Sequence, residues 1–306
     1  MSVEPGLACV ILAHSDPTQL HRTIAALDPF PVFLHVDSRV SNEMYRALTD
    51  GLPPRCTVLE RFPTGWATWG AVSAELEGYR AAMAATDASH VVLLSGSDYP
   101  IASPAEITDL LASHLDDSFA LINPLPYAAW GRSGGFSRLR YRHWAVGKRM
   151  LRLPIPRRLP KGIVFGGGSS SKILSRKHAL AVVELADRHP ELVRFWRRSW
   201  ASDETFVYSI LGSPNLVPGW HGNHIDANLW RIDWGETPRK SPAWLGLHHR
   251  EALLARRETP DQLYPHVFAR KFSTETSGDL LDAIDAEVSR RATAGAVGSS
   301  SRADHD

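Results

Sequence analysis

The chain is short of cysteine, of long apolar runs and of net charge, and each shortage removes a class of protein. Only two cysteines occur in 306 residues, Cys9 inside an apolar run and Cys56 apart from it. Two isolated cysteines build no disulfide framework, and they read as buried thiols in a reducing compartment. No apolar stretch approaches the roughly 18 to 20 residues that span a bilayer, and Met1-Ser2-Val3-Glu4-Pro5 lacks the basic start of a secretory signal. A cytoplasmic protein is the expectation. Lys and Arg total 34 against 33 Asp and Glu, a formal charge of +1. That balance gives no overall attraction for nucleic acid, which is not expected as a partner.

What the chain does have is apolar content, 43% of its residues, enough to bury a full core as one large domain or two small ones. Leu7 to Ala13 and Val32 to Asp37 read as buried strands, with Cys56 to Leu59 a shorter third. After the first strand, Asp16-Pro17-Thr18-Gln19 supplies a cap, a first-turn proline and a capping-box glutamine for a helix reaching about Leu27. A second helix, from about Gly70 to Met83, leads into Val91-Val92-Leu93-Leu94. Alternation of this kind predicts an α/β fold, a mostly parallel sheet sandwiched by helices.

The run from Val91 ends in Ser95-Gly96-Ser97-Asp98-Tyr99-Pro100, so one carboxylate sits where a buried strand leaves the sheet. Ligands of open α/β sheets bind beyond such strand ends. Asp98 therefore reads either as a ligand-facing acid or as a loop tie that accepts from nearby backbone N–H groups. Ser103-Pro104-Ala105-Glu106 then opens a helix with a capping box. A second candidate is Trp200-Ala201-Ser202-Asp203-Glu204, where Ser202 is predicted to cap a helix with both acids in its first turn. Carboxylates there are favoured in ionised form, which keeps a base ready. The third is Phe268-Ala269-Arg270-Lys271-Phe272, two cations held between aromatic anchors, a pattern suited to phosphate.

Between these lies a basic segment, 148–161, with Lys148, Arg149, Arg152, Arg157, Arg158 and Lys161 interrupted by Pro154, Pro156 and Pro160. It is too proline-broken for a helix and is predicted to be a loop. It serves either as a solvated linker or as a surface for an anionic acceptor or the inner face of a membrane. Gly166-Gly167-Gly168-Ser169-Ser170-Ser171 lacks the Gly-Lys-Ser/Thr close of a Walker loop. Beyond it, a strand-like stretch at 172–175 precedes a helix from about Lys177 to Arg188. From Ala292 the polar, low-complexity sequence predicts a disordered tail over 292–306.

Taken in order, Ile11-Leu12-Ala13-His14-Ser15-Asp16-Pro17, His35-Val36-Asp37, Trp69-Gly70, Ser95 to Pro100, Ser202-Asp203-Glu204 and Phe268 to Phe272 resemble the core-2/I-branching glycosyltransferase family, which includes peptide O-xylosyltransferases. The resemblance covers about residues 7 to 288 and implies a bacterial-type cytoplasmic member. It implies one GT-A-like domain over 1–291, with a nucleotide-sugar half at about 7–125 and an acceptor half at about 126–291. An inverting transferase is implied, moving N-acetylglucosamine or xylose from a UDP-sugar to a glycan or glycoconjugate hydroxyl without a divalent metal or other cofactor. Carried onto this chain, the catalytic base is Glu204, and His14, Asp37, Trp69, Gly70 and Asp98 lie around the nucleotide sugar. Lys271 and Arg270 face the diphosphate, with Arg239 or Lys240 standing in for a second family cation, because Ser241-Pro242-Ala243 replaces a His-Pro-Lys or His-Pro-Arg pattern. Ser170-Ser171-Lys172 is another departure, where relatives carry a bulky aromatic. Three rival readings need no resemblance, one of them a structural or interaction protein in which Glu204 and Lys271 are dispensable. His221, His224 and Asp226 suit Zn²⁺ in a metal-dependent hydrolase or transferase, and ten tryptophans suit a noncatalytic carbohydrate-binding protein.

Overall fold

A computed structural model describes residues 4–303, apart from 66, 147, 148, 236–240 and 258. The first part runs β1 (Glu4–Ala13), α1 (Pro17–Ala26), β2 (Val32–Val36), α2 (Asn42–Thr49), β3 (Cys56–Val58), α3 (Trp69–Ala85), β4 (Ala88–Ser95), β5 (Asp98–Pro100) and α4 (Pro104–Ala112). Then follow β6 (Ser118–Phe119), β7 (Asn123–Pro124), α5 (Phe136–Arg140), β8 (Tyr141–Val146), β9 (Arg149–Pro156), β10 (Gly166–Gly167), β11 (Ile173–Ser175), α6 (Arg176–Arg188), α7 (Pro190–Trp196) and α8 (Phe206–Leu211). The chain closes with β12 (His224–Ile225), β13 (Trp230–Ile232), α9 (Arg250–Ala255), β14 (Phe268–Arg270) and α10 (Thr274–Ala303).

Seven strands form the central sheet in the order β12-β6-β11-β4-β1-β2-β3. It is mostly parallel; β11 alone runs antiparallel, between β4 and β6. Strand residues alternate between faces, and burial of both faces explains the unbroken apolar runs. On β1 and β4, Ala8, Val10, Val91 and Leu93 enter one core with Val72, Leu76 and Tyr79 of α3 and Val182 of α6. Leu7, Cys9, Ile11, Val92 and Leu94 enter the other, with Leu20 and Ile24 of α1 and Ile107 and Leu111 of α4. The predicted capping box at α4 is formed: Ser103 Oγ accepts from Glu106 N at 3.2 Å, and Glu106 Oε2 accepts from Ser103 N at 2.7 Å. Both cysteines are free thiols, and burial pushes the Cys9 thiol far up.

A second, three-stranded sheet in the order β13-β14-β5 sits over a smaller core that includes Tyr99, Phe272 and Leu281. Three expectations change. The predicted basic loop is a hairpin of β8 and β9. Prolines rule out a helix there, but a two-stranded ribbon has free outer edges where a missing N–H loses no partner. Ser202 does not cap a helix: residues Ser202–Glu204 form one 3-10 turn ahead of α8. Helix α10 continues past position 292 to Ala303, where a disordered tail is predicted; Ala292, Ala294 and Ala296 favour that extension and Gly295 and Gly298 oppose it. Among the described residues no helix is long and apolar enough to cross a membrane.

Candidate active site

Pairing of Leu12 with Ser95 and of Ala13 with Val36 brings the ends of β1, β2 and β4 to one edge of the sheet. His14 is exposed there and Asp37 is buried. Asp37 accepts from Arg39 N at 2.9 Å, from the Arg39 guanidinium, and from Thr64 N and Oγ1 at 3.3 and 2.9 Å. Burial opposes its charge, but the bonds from Arg39 and Thr64 outweigh it and hold the carboxyl well below the usual range. Gly70 serves this loop by its size. A Cβ there would lie 2.1 Å from Pro63 O, so only glycine lets the Pro63-Thr64 backbone lie against the start of α3. Trp69 anchors the same turn edge-on against Phe206, ring centroids 4.9 Å apart.

Asp98 is 1% exposed and both of its oxygens have partners. Oδ2 accepts from Ser95 N at 2.6 Å and Ser95 Oγ at 2.5 Å, and Oδ1 from Trp230 Nε1 at 3.0 Å. The loop-tie reading thus accounts for the carboxylate, which also stands opposite Arg270 in the β5–β14 register, Arg270 Nε lying 3.9 Å from Oδ1. Two segments 170 positions apart are joined by that register. Lys271, one residue on, donates from Nζ to Ser241 Oγ at 2.7 Å and sits 5.2 Å from the Trp244 ring centroid. Burial, then repulsion from Arg270, draws its pKa below the ordinary lysine value, with Asp98 opposing. The Ser241-Pro242-Ala243 segment does lie beside this lysine, since Lys271 N donates to Ala243 O. Arg239 and Lys240 fall outside the described residues.

Glu204 occupies a different setting. Ala201, just before it, has φ 51, a left-handed conformation that disfavours a residue with a Cβ by about 1–2 kcal/mol. Its N–H donates to the carbonyl of Ala67, itself at φ 56, which ties this turn to the loop before α3. Ser202 Oγ donates to Trp196 O at 2.9 Å, so its hydroxyl closes the end of α7 instead of capping the acids. Glu204 Oε2 accepts from Arg138, whose guanidinium stacks 3.8 Å from the Trp130 ring centroid and 5.2 Å from that of Trp200. The glycine tract lines this wall. A Cβ on Gly167 would come within 2.3 Å of the Trp130 ring, and Gly168 N donates to Glu204 O at 3.0 Å.

Beneath the turn lies a buried ion pair, Lys172 Nζ to Glu75 Oε1 at 2.8 Å, with Tyr79 OH donating to the same oxygen at 2.8 Å. Asp203 Oδ1 is buried with no hydrogen-bond partner. Burial first, then the charges of Glu204 and Glu75, push the Asp203 carboxyl up to about 7, against the pull of Lys172. The zinc reading does not survive this arrangement. Among the described residues no three His, Cys, Asp or Glu side chains converge, and His224 is stacked on Trp220 at 4.6 Å with Nε2 at 2.7 Å from Ala120 O. Arg138, Trp230 and the Lys172–Glu75 pair escape sequence reasoning. The one available signal was a lysine heading a buried strand and a glutamate on an apolar helix face.

A family model described as Core-2/I-Branching enzyme matches residues 8–252. The chain is 25% identical over 309 residues to Xylosyltransferase 1 of Homo sapiens and of Canis lupus familiaris, covering 91% of this chain and 30% of each relative. It therefore spans about a third of the length of those relatives. Among solved structures, the mannosyltransferase Ktr4p of S. cerevisiae in complex with GDP overlaps 68% of this chain and 66% of its own, at a TM-score of 0.33 and 12% identity. HddC from Yersinia pseudotuberculosis overlaps 56% of this chain and 78% of its own, at 0.28 and 12%.

Proposed function

Because the chain belongs to the Core-2/I-Branching enzyme family of glycosyltransferases, we propose that it moves N-acetylglucosamine or xylose from a UDP-sugar to a hydroxyl of a glycan or glycoconjugate, with inversion and without a divalent metal. The observation that carries this reading is the register of Arg270 on Asp98, which sets the Arg270-Lys271 pair at the mouth of the sheet. In the reaction the acceptor oxygen attacks the anomeric carbon in line, and its proton passes to Glu204. The bond from that carbon to the UDP oxygen breaks, and the electron pair leaves with the diphosphate. Lys271 and Arg270 stabilise the charge growing there.

Metal-dependent sugar-nucleotide enzymes usually offer a divalent cation two carboxylates. Here the strand end has one, Asp98, and its oxygens already accept from Ser95 and Trp230. Fixed cations suit the leaving diphosphate better at such a place. The test is UDP release from a panel of UDP-sugars in excess EDTA, with product stereochemistry followed by NMR. Release and transfer should persist in chelator with an inverted anomeric centre. Loss of both, restored by Mn²⁺ or Mg²⁺, overturns the cation-pair reading.

A further inference from the structure

Residues 118–183 contain thirteen Lys or Arg and no Asp or Glu, in a chain whose total formal charge is only +1. The β8–β9 hairpin rises from the middle of this acid-free stretch. On β9, Leu151 and Leu153 share one face and Ile155 follows in the irregular stretch before Pro156; they are 53%, 38% and 64% exposed. Arg142, opposite Leu153 in the register, is exposed, as are Arg152 on the other face of the ribbon and Arg158 and Lys161 just beyond β9. Aliphatic side chains so placed are not filling a core, and their grouping with cations calls for a partner.

The base of the hairpin is tied to the catalytic wall. Arg157 donates from Nε to Leu139 O and from Nη1 to Phe195 O, both at 2.8 Å. His143 N donates to Arg198 O, and Trp200 N to Arg138 O. The hairpin thus grows from the same short helix that presents Arg138 to Glu204. At about 3.3 Å per residue, the six residues of β8 keep every described part of it within roughly 20 Å of that helix.

We propose that this hairpin docks on an anionic lipid surface, and that the acceptor is presented from that surface. The proposal rests on the glycosyltransferase reading and adds the class of acceptor, a lipid-linked or membrane-held glycan. A soluble polyanion would engage the cations and leave the three aliphatic side chains in water. An anionic bilayer takes both, its phosphates facing the guanidinium groups and its acyl boundary receiving the leucines and isoleucine.

The test uses the full chain with vesicles of phosphatidylcholine alone or mixed with phosphatidylglycerol, measured by sedimentation at low and high ionic strength. The protein should bind the mixed vesicles, release from them at high salt and ignore the neutral ones. Two triple variants separate the contributions: Leu151→Ser with Leu153→Ser and Ile155→Ser, and Arg142→Gln with Arg152→Gln and Arg158→Gln. Each should weaken vesicle binding by about tenfold or more while UDP release from the donor stays at the wild-type rate, which also shows that the variants fold. Absence of binding to mixed vesicles overturns the proposal. So does binding that the serine variant leaves untouched, which would mark a surface for a soluble polyanion. Vesicle binding without UDP release from any UDP-sugar upholds the docking surface and removes the glycosyltransferase reading instead.

Discussion

Asp98 is 1% exposed with Ser95 and Trp230 on its two oxygens, whereas Glu204 keeps 34% of its side chain exposed and has Arg138 on one oxygen. The first acid opens β5, just past the end of β4, with both oxygens engaged by the protein's own donors; the second stands on a 3-10 turn between a glycine tract and two tryptophans. Their difference teaches that the acid most visible in the sequence ties its own loop together, and the less conspicuous one keeps a carboxylate open to solvent, as the base proposed above requires. Mutations that act on structure and on rate should therefore separate along this line.

The largest effect is expected at Glu204. Glu204→Gln preserves shape and removes the proton acceptor, so the transfer rate should fall by about 10² to 10⁴-fold with UDP affinity and unfolding midpoint unchanged. Asp98→Asn should do the reverse at first reading, losing about 3 kcal/mol of stability, because an amide cannot accept from all the donors that surround the carboxylate. Wild-type transfer by Glu204→Gln, or an unaltered melting curve for Asp98→Asn, would break the comparison.

Next comes the ion pair under the turn. Lys172→Met strands the buried Glu75 charge and should cost about 3–5 kcal/mol in urea unfolding, while the double change with Glu75→Leu should recover most of it. A double variant that is no more stable than the single one would show that the pair is not coupled. Lys271→Ala should then lower kcat more than it raises KM, by roughly 10-fold to 10²-fold, and adding Arg270→Ala should make it worse. Equal turnover would reduce Lys271 to an ordinary surface charge.

The smallest effect concerns pH. Asp203 in the folded chain holds its proton to about 7, well above the ordinary aspartate value of 3.8. Between those values the folded state binds more protons than the unfolded one, so stability falls as pH rises through the window and levels off above it. Asp203→Asn should flatten that decline, gaining more at pH 8 than at pH 4. A parallel loss in wild type and variant, read from urea midpoints, would move the titration elsewhere.

Local sequence was sufficient wherever a structure is decided by neighbours along the chain. Buried strands at β1, β2 and β4 announce themselves as apolar runs, and the Ser103 capping box satisfies its own backbone within four residues. Gly70 and the Phe268–Phe272 cations were legible as positions of interest, though not the reason for the glycine, which is the Pro63 carbonyl pressed against α3. Ser202 misled because three later residues do not tell whether a turn closes as α-helix or 3-10, and a carbonyl at Trp196 claimed its hydroxyl. The β8–β9 hairpin is hidden in the sequence because proline argues against helices far more strongly than against a free-edged ribbon.

What the sequence determined by itself is the sheet of alternating strands and helices, its two buried faces, and the residue types available at the strand ends. Only tertiary structure decided that Arg270 stands opposite Asp98, that Trp230 supplies its second partner, that Arg138 meets Glu204 and that Lys172 meets Glu75. These contacts join residues from 66 to 172 positions apart. Pattern along a chain records which face a side chain takes, whereas partner choice between remote segments is fixed by which strands pair and in what register.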